Sequence, residues 1–218
     1  LLYSVVLSAQ KRITLLFVGD LMQHRAQIDA ARTSDGKYDY SPCFSLVKEE
    51  ISRADIAIGN LEVTLGGKPY QGYPTFSAPD EYLQAIKDVG FDVLLTANNH
   101  CLDRGKTGLE RTITQIESFS IPYAGTYRNA IERKQLYPLF IRKKGFYIAI
   151  LNYTYGTNGI KASAPNIVNY IDKKTILKDI HSAQAVRPDA IITCIHWGEE
   201  YQSLPNREQC ELADWLLK

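Results

Sequence analysis

An α/β fold with mixed strand directions is predicted by three observations. Short apolar runs with the length of buried strands are interleaved with stretches of helical periodicity. Two such runs, 136–142 and 146–152, flank Lys143-Lys144-Gly145 and read as a β-hairpin, which adds an antiparallel pair. Four of the strand-like runs stop at clusters of polar, ligand-capable residues, and ligands collect at the carboxyl ends of strands in an open α/β sheet.

The first residues, LLYSVVLSAQ, are apolar and then small. They read as the remnant of a signal peptide or N-terminal anchor, residues 1–10, with a Ser-Ala cleavage site before Gln10; a short N-terminal strand is the alternative. The run is too short to span a bilayer by itself. Residues 11–218 read as one domain with no linker and no internal repeat.

Ile13 to Val18 is the first expected strand, ending at Gly19-Asp20 before Leu21-Met22-Gln23-His24-Arg25. Ser41-Pro42 opens a helix, with Phe44, Val47, Ile51 and Ala54 on one face. Asp55 to Ile58 is a second strand, ending at Gly59-Asn60-Leu61-Glu62. Gly66 to Pro79, rich in Gly, Pro and aromatics, is a loop; Tyr70, Tyr73 and Phe76 form either a substrate wall or a lid packed on itself. Asp80 is expected to cap a helix carrying Leu83, Ile86 and Val89, with Gly90 as its stop.

Val93-Leu94-Leu95 is a buried strand that stops at Ala97-Asn98-Asn99-His100, with Asp103 and Gly105 following. Leu109, Ile113, Ile116 and Phe119 mark the next helix. Ile121 to Tyr123 is a short strand, and Gly125 to Asn129 a polar turn. After the hairpin, Tyr153 to Gly159 is a polar, aromatic loop. Asp172 opens a helix with Ile176, Leu177, Ile180 and Ala183 inward, and His181 is a helix residue without a function. Ala190 to Ile195 is the last strand, ending at His196-Trp197-Gly198-Glu199-Glu200-Tyr201. Residues 205–218 are helical, and the pattern is still running at Lys218, so the fold is read as C-terminally truncated.

The 25 basic and 24 acidic side chains leave the net charge near zero. No charge field recruits nucleic acid or an anionic membrane surface. An anionic substrate would have to be held by local groups or a metal. Cys43, Cys101, Cys194 and Cys210 show no close-spaced metal pattern, and no structural disulfide is expected. Cys194 reads as core; Cys101, beside His100, is either core or a thiol nucleophile.

The strand ends together offer Asp20, Asn60 and Glu62, Asn99 and His100, and His196. Mixed oxygen and nitrogen donors without thiolates suit Mn, Mg, Fe or Zn. Two such ions would clamp a phosphoryl group and activate a water. Asp20, Glu62, Asn99 and His196 are the expected ligands. His100 is the expected acid, since an imidazole titrates near ~6.5. Arg25, near the first strand end, either holds an anionic group or is solvated, and Asp103, Glu200 and Tyr201 are the remaining candidate substrate contacts. For Asn98-Asn99-His100 alone the bland reading is a loop in which Asn tolerates left-handed backbone angles.

In this order, Gly19-Asp20-Leu21-Met22, Gly59-Asn60-Leu61-Glu62, Ala97-Asn98-Asn99-His100 with Asp103 and Gly105, and His196-Trp197-Gly198-x-Glu200-Tyr201 resemble the bacterial capsule-synthesis proteins of the CapA type, associated with poly-γ-glutamate capsules. Gly72 to Pro79 and Leu151 to Asn158 match as well. The resemblance runs from about Ile13 to the end. That family is similar in fold to the calcineurin-like metallophosphoesterases, which implies a four-layer α/β/β/α sandwich with mixed sheets. It implies that Asp20 stands at the clan's first aspartate ligand, Asn60 to Glu62 at its second acidic motif, Asn99 and His100 at its Asn-His pair, and His196 at its next ligand histidine. Three departures stand out: Met22 replaces the histidine of Asp-x-His, with His24 displaced along the chain; Glu62 replaces an aspartate; and the closing Gly-His-x-His is not reached by Lys218.

The signal-peptide reading of residues 1–10 makes this an exported protein, periplasmic or at the outer face of the cell membrane; divalent metal and an anionic polymer or a small phosphoester are its expected ligands. Other capsule-synthesis membrane proteins are the implied partners. The expected activity is metal-dependent hydrolysis of a phosphoester or of an acidic-polymer bond. The rivals are an auxiliary polymer-binding role in capsule synthesis or export, and a relative that shares the fold alone.

Overall fold

The computed structural model describes residues 11–218; the signal-peptide or strand reading of residues 1–10 lies outside them. The first apolar run forms β1, Leu15–Leu21, which continues through Gly19-Asp20. Then come α1, Arg25–Ala31, and two short helices, α2, Ser41–Phe44, and α3, Lys48–Arg53. β2 is Ile56–Leu61, α4 Asp80–Val89, β3 Val93–Leu95 and α5 Gly105–Ser118. Two short strands follow, β4 at Tyr123–Ala124 and β5 at Thr126–Tyr127, and then α6, Ala130–Leu136. The hairpin is β6, Leu139–Lys143, and β7, Phe146–Thr154. β8, Ile167–Val168, α7, Lys173–Gln184, β9, Ala190–His196, and α8, Arg207–Leu216, complete the chain.

β1 to β4 form a parallel sheet in sequence order. A second sheet has the order β6-β7-β9, with β6 antiparallel and β9 parallel to β7. β5 and β8 pair as a small antiparallel ribbon. The period of two along each strand sorts side chains to the two faces. Ile56, Ile58, Val93 and Leu95 from the first sheet meet Ile148 and Ile150 from the second in one apolar layer. The alternate residues Ala57, Leu61 and Leu94 join Leu83, Ile86, Leu109, Ile113 and Ile116 of α4 and α5, while Leu151 and Tyr153 lie in the same cluster as Ile176 of α7. Helix, sheet, sheet and helix thus stack as an α/β sandwich with mixed sheets, like that of the metallophosphoesterases.

Five local expectations need correction. The helix expected from Ser41 to Ala54 is broken into α2 and α3. Ile51 is buried and Phe44 packs on the core, but Val47 is 46% exposed, so one straight stripe does not describe the segment. Asp80 does not cap α4: Pro79 holds that position, and the Asp80 carboxylate makes a two-point pair with Arg111 of α5 at 2.8 and 2.7 Å. The expected polar turn at Gly125 to Asn129 contains buried β5. Leu136 ends a helix rather than opening the hairpin, and α6 is capped by Asn129, whose side chain accepts the amides of Ile131 and Glu132 at 3.0 and 2.9 Å. Leu177 points to solvent, and buried Asp179 takes an inward position on α7, held by Arg133 at 2.6 Å and the Tyr153 hydroxyl at 2.9 Å. All four cysteines are free.

Candidate metal centre

Parallel pairing carries the carboxyl ends of β1, β2 and β3 to one edge, and the β7–β9 pair sets His196 opposite Thr154. β1 carries a bulge between Val18 and Asp20, so that Val18 pairs with Gly59 and Asp20 with Asn60. The inserted Gly19 re-aims Asp20, a common use of bulges beside functional sites. One donor atom each of Asp20, Glu62 and His196 falls within 4.8 Å of the others. The His196 Nδ1 is 3.8 Å from Asp20 Oδ1, and its Nε2 is 3.8 Å from Glu62 Oε1. Asn99 joins them through Oδ1, 2.9 Å from His196 Nε2. The four expected ligands are therefore one constellation.

Asn60 organises it. Its Nδ2 donates to Asp20 Oδ1 at 2.7 Å and to Glu62 Oε2 at 3.2 Å, and lies 3.3 Å from His196 Nδ1. Its orientation is set by buried Asn98, whose Nδ2 donates to Asn60 Oδ1 at 3.1 Å and to the Leu61 carbonyl at 2.8 Å. The network assigns Nδ1 of His196 as acceptor and Nε2–H as donor to Asn99.

Burial pushes the Glu62 carboxyl up to about 9, helped by the nearby Asp20 and the charges of Glu200 and Asp103. Burial holds His196 below the usual imidazole range, against the pull of Asp20. The surrounding cleft, ≈ 380 Å³, is lined by Asp20, Glu62, Glu199 and Glu200 and by His24, His100 and His196, and by no Lys or Arg. Two crowded acids, an imidazole kept neutral and an amide carbonyl form an oxygen and nitrogen donor set that fits a divalent cation. A cation there would relieve the repulsion that raises Glu62.

His100 lies in the same cleft, with Nδ1 2.7 Å from Asp103 Oδ2. The same carboxylate oxygen accepts the Phe76 amide at 2.6 Å, and the Phe76 ring meets His100 edge-on at 4.5 Å. Asp103 does not line the cleft; it holds His100 in place and is not positioned as a substrate contact. Glu200 and Tyr201 do line it, Tyr201 from a fully exposed position. Arg25 lies outside it, with its Nε on Asp29 at 3.1 Å. His24 lines the cleft between Tyr73 and Phe76 but does not join the Asp20–Glu62–His196 group. The 66–79 loop is divided: Phe76 is fully buried against His100, Tyr73 stands at the cleft mouth, and Tyr70 faces a separate recess. Cys101 is buried, and burial pushes its thiol up, to about 12, which counts against the nucleophile reading.

Sequence reasoning missed three supporting residues. Asn158 reaches Asn99 at 3.3 Å and the His100 ring at 3.5 Å from a left-handed turn. Tyr155 stacks on His196 at 6.1 Å. Asn152 crosses the sandwich to accept the Ala97 amide at 2.8 Å. Their sequence signal is the Leu151 to Asn158 stretch, the end of β7 and the polar loop after it, which matches the family but carries no spacing relation to the ligands.

The model of the family described as "Bacterial capsule synthesis protein PGA_cap" matches residues 14–218. The chain is 26% identical over 218 residues to the "Capsule biosynthesis protein CapA" of Bacillus anthracis, covering 95% of this chain and 52% of the relative. It is 26% identical over 212 residues to the "PGA biosynthesis protein CapA" of Bacillus subtilis (strain 168), covering 90% and 52%. The chain spans about half the length of these curated relatives.

Proposed function

The chain belongs to the bacterial capsule synthesis protein family, and on that premise we propose that it is an exported, metal-dependent hydrolase acting on a phosphoester or an amide bond of an acidic polymer. The observation that carries this reading is the convergence of Asp20, Glu62 and His196 within 4.8 Å, in the same cleft as a His100 held by Asp103. Asp20, Glu62, His196 and the carbonyl of Asn99 would hold Mn, Fe, Zn or Mg. Such an ion supplies Lewis-acid polarisation of the scissile group and activation of a water.

This chain's own residues do the rest. Asn60 and Asn98 fix the ligands in place. Asp103 directs the ring of His100 so that Nε2 is left to deliver a proton to the leaving group. Phe76 covers one side of that ring and limits water there. Tyr155 stacks on His196 and fixes its plane. The work is carried out at the periplasmic or outer face of the membrane, alongside membrane proteins of capsule synthesis; among the described residues no helix is long and apolar enough to cross a membrane.

One observation favours the auxiliary role. The Asn60 amide already ties Asp20, Glu62 and His196 into a closed hydrogen-bonded floor, which would serve a polymer-binding cleft without turnover. The deciding experiment pairs elemental analysis of the purified protein with assays on phosphoesters and γ-glutamyl amides. Bound transition metal and turnover, both lost in folded Asp20→Ala, with turnover lost in His100→Ala, support the hydrolase. Polymer binding without metal or turnover sinks it in favour of the auxiliary role.

A further inference from the structure

Beside the metal cleft lies a shallow recess of ≈ 470 Å³ lined by Arg25, Ile28, Tyr38, Lys68, Pro69 and Tyr70. Its chemistry is opposite to that of the cleft. The cleft has four acids and no Lys or Arg among its lining residues, whereas the recess has an Arg and a Lys and no acid. Arg25 uses only Nε on Asp29, an exposed i,i+4 pair of little intrinsic worth. Among the described residues its two terminal nitrogens have no partner, and Lys68 has no ion pair. Of the two acids whose charges reach Tyr70, Asp80 is already neutralised by its two-point pair with Arg111, and Glu81 lines a different pocket.

The recess is held firmly. The Gly67 carbonyl accepts the Ser77 hydroxyl at 2.7 Å, the Pro69 carbonyl accepts Arg104 at 3.2 Å, and Gln71 and Ser77 exchange backbone hydrogen bonds at 2.9 and 2.8 Å. Tyr38 and Tyr70 meet edge to face at 5.4 Å. Recess and cleft share a wall: His24 lines the cleft and Arg25 the recess, Tyr73 lines the cleft and Tyr70 the recess. Three residues of chain reach at most about 11 Å, so cleft and recess are separated by no more than the length of a few repeat units of an extended polymer.

We propose that the Arg25–Lys68–Tyr38–Tyr70 recess is an oxyanion subsite that holds a distal acidic group of the polymer whose scissile or bound segment lies in the metal cleft. This rests on the acidic-polymer reading above. Arg25 offers a planar fork and Lys68 a point charge, and the two tyrosine rings flank the chain between charges. The acid-lined cleft offers a polyanion no Lys or Arg side chain, and this subsite supplies that fixed positive charge.

The test measures binding of oligo-γ-glutamate of about ten residues, its dimer, and polyphosphate of matched charge to the wild-type protein and to Arg25→Gln/Lys68→Gln. Both residues are exposed, and unchanged thermal unfolding confirms the fold of the variant. Loss of about five- to tenfold in affinity for the long oligomer, with the dimer unaffected and the salt dependence reduced, supports the subsite. The same loss seen with polyphosphate and no binding of oligo-γ-glutamate keeps the oxyanion subsite and assigns it to phosphate. Long-oligomer binding that is equal in both proteins overturns the subsite while leaving the polymer reading intact. No binding of either polyanion to the wild-type protein overturns both.

Discussion

Glu62→Gln should stabilise the metal-free protein at alkaline pH while removing its response to metal. The Glu62 carboxyl titrates at about 9 in the folded chain against a usual value of 4.5, because burial and Asp20 disfavour its charge. Between these values the folded state carries a proton that the unfolded state has released. Stability from this group is therefore complete below the unfolded value and is lost as pH rises towards the folded one. The slope is about 1.4 kcal/mol per pH unit, so from pH 6 to pH 8 the wild-type protein should lose roughly 3 kcal/mol from this group. For a chain of this size that is about 6–12 °C in Tm. Gln keeps the shape and cannot ionise, so this part of the fall disappears. The assay is thermal unfolding of both proteins in chelator at pH 6, 7 and 8, repeated with excess Mn²⁺. The wild-type protein should regain stability with metal at pH 8, and Glu62→Gln should not. Parallel pH dependence of the two proteins in chelator would refute the argument, because it would mean that Glu62 is not crowded by Asp20 and burial.

Three further outcomes follow from the same geometry. Asp103→Asn removes the carboxylate shared by His100 Nδ1 and the Phe76 amide; it should cost about 1–3 kcal/mol in chemical denaturation and lower kcat on any substrate turned over, with KM little changed. Gly125→Ala should destabilise by about 3 kcal/mol or more, because Gly125 has φ +131° and a Cβ there would lie 2.2 Å from the Ala97 nitrogen and 2.3 Å from Asn152 Oδ1; an unchanged denaturation midpoint would count against that packing. Asn60→Asp replaces the amide donor between Asp20, Glu62 and His196 with a third carboxylate; the metal-free protein should melt several degrees lower and bind divalent metal more tightly by calorimetric titration.

Much of the fold was legible where burial imposes a simple period. Val93–Leu95 is a strand because a short continuous apolar run suits a sheet covered on both faces, and the apolar run from Ala190 is a strand too, though only partly buried. The hairpin is announced by the Lys143-Lys144-Gly145 turn, and α4 by its stripe and by Gly90, which adopts φ 112° as its stop. The reading failed where tertiary partners outweighed local pattern. Asp80 had the sequence look of a cap, but a guanidinium on a neighbouring helix offered it a better partner. Asp179 sits at an inward position that an apolar stripe assigns to a hydrophobe, because Arg133 and Tyr153 satisfy its charge there. β5 was read as a turn, since two residues are too few to show a period.

The candidate site divides in the same way. The order of Gly-Asp, Gly-Asn-x-Glu, Asn-Asn-His and His-Trp-Gly after successive strands was sufficient to nominate Asp20, Glu62, Asn99, His100 and His196, because residue type limits ligand chemistry and strand ends limit where it gathers. Those facts, and the family to which the chain belongs, are written in one dimension. The tertiary structure alone decided which residues line the cleft and which act on other residues. Asp103 turned inwards to His100, Asn60 became the donor that binds the ligands together, and Arg25 left the cleft for a recess with Lys68. The physical reason is that a hydrogen bond or an ion pair depends on distance and direction between segments tens of residues apart. The Asn60–His196 contact closes over a separation of 136 residues, and no local period or spacing encodes it.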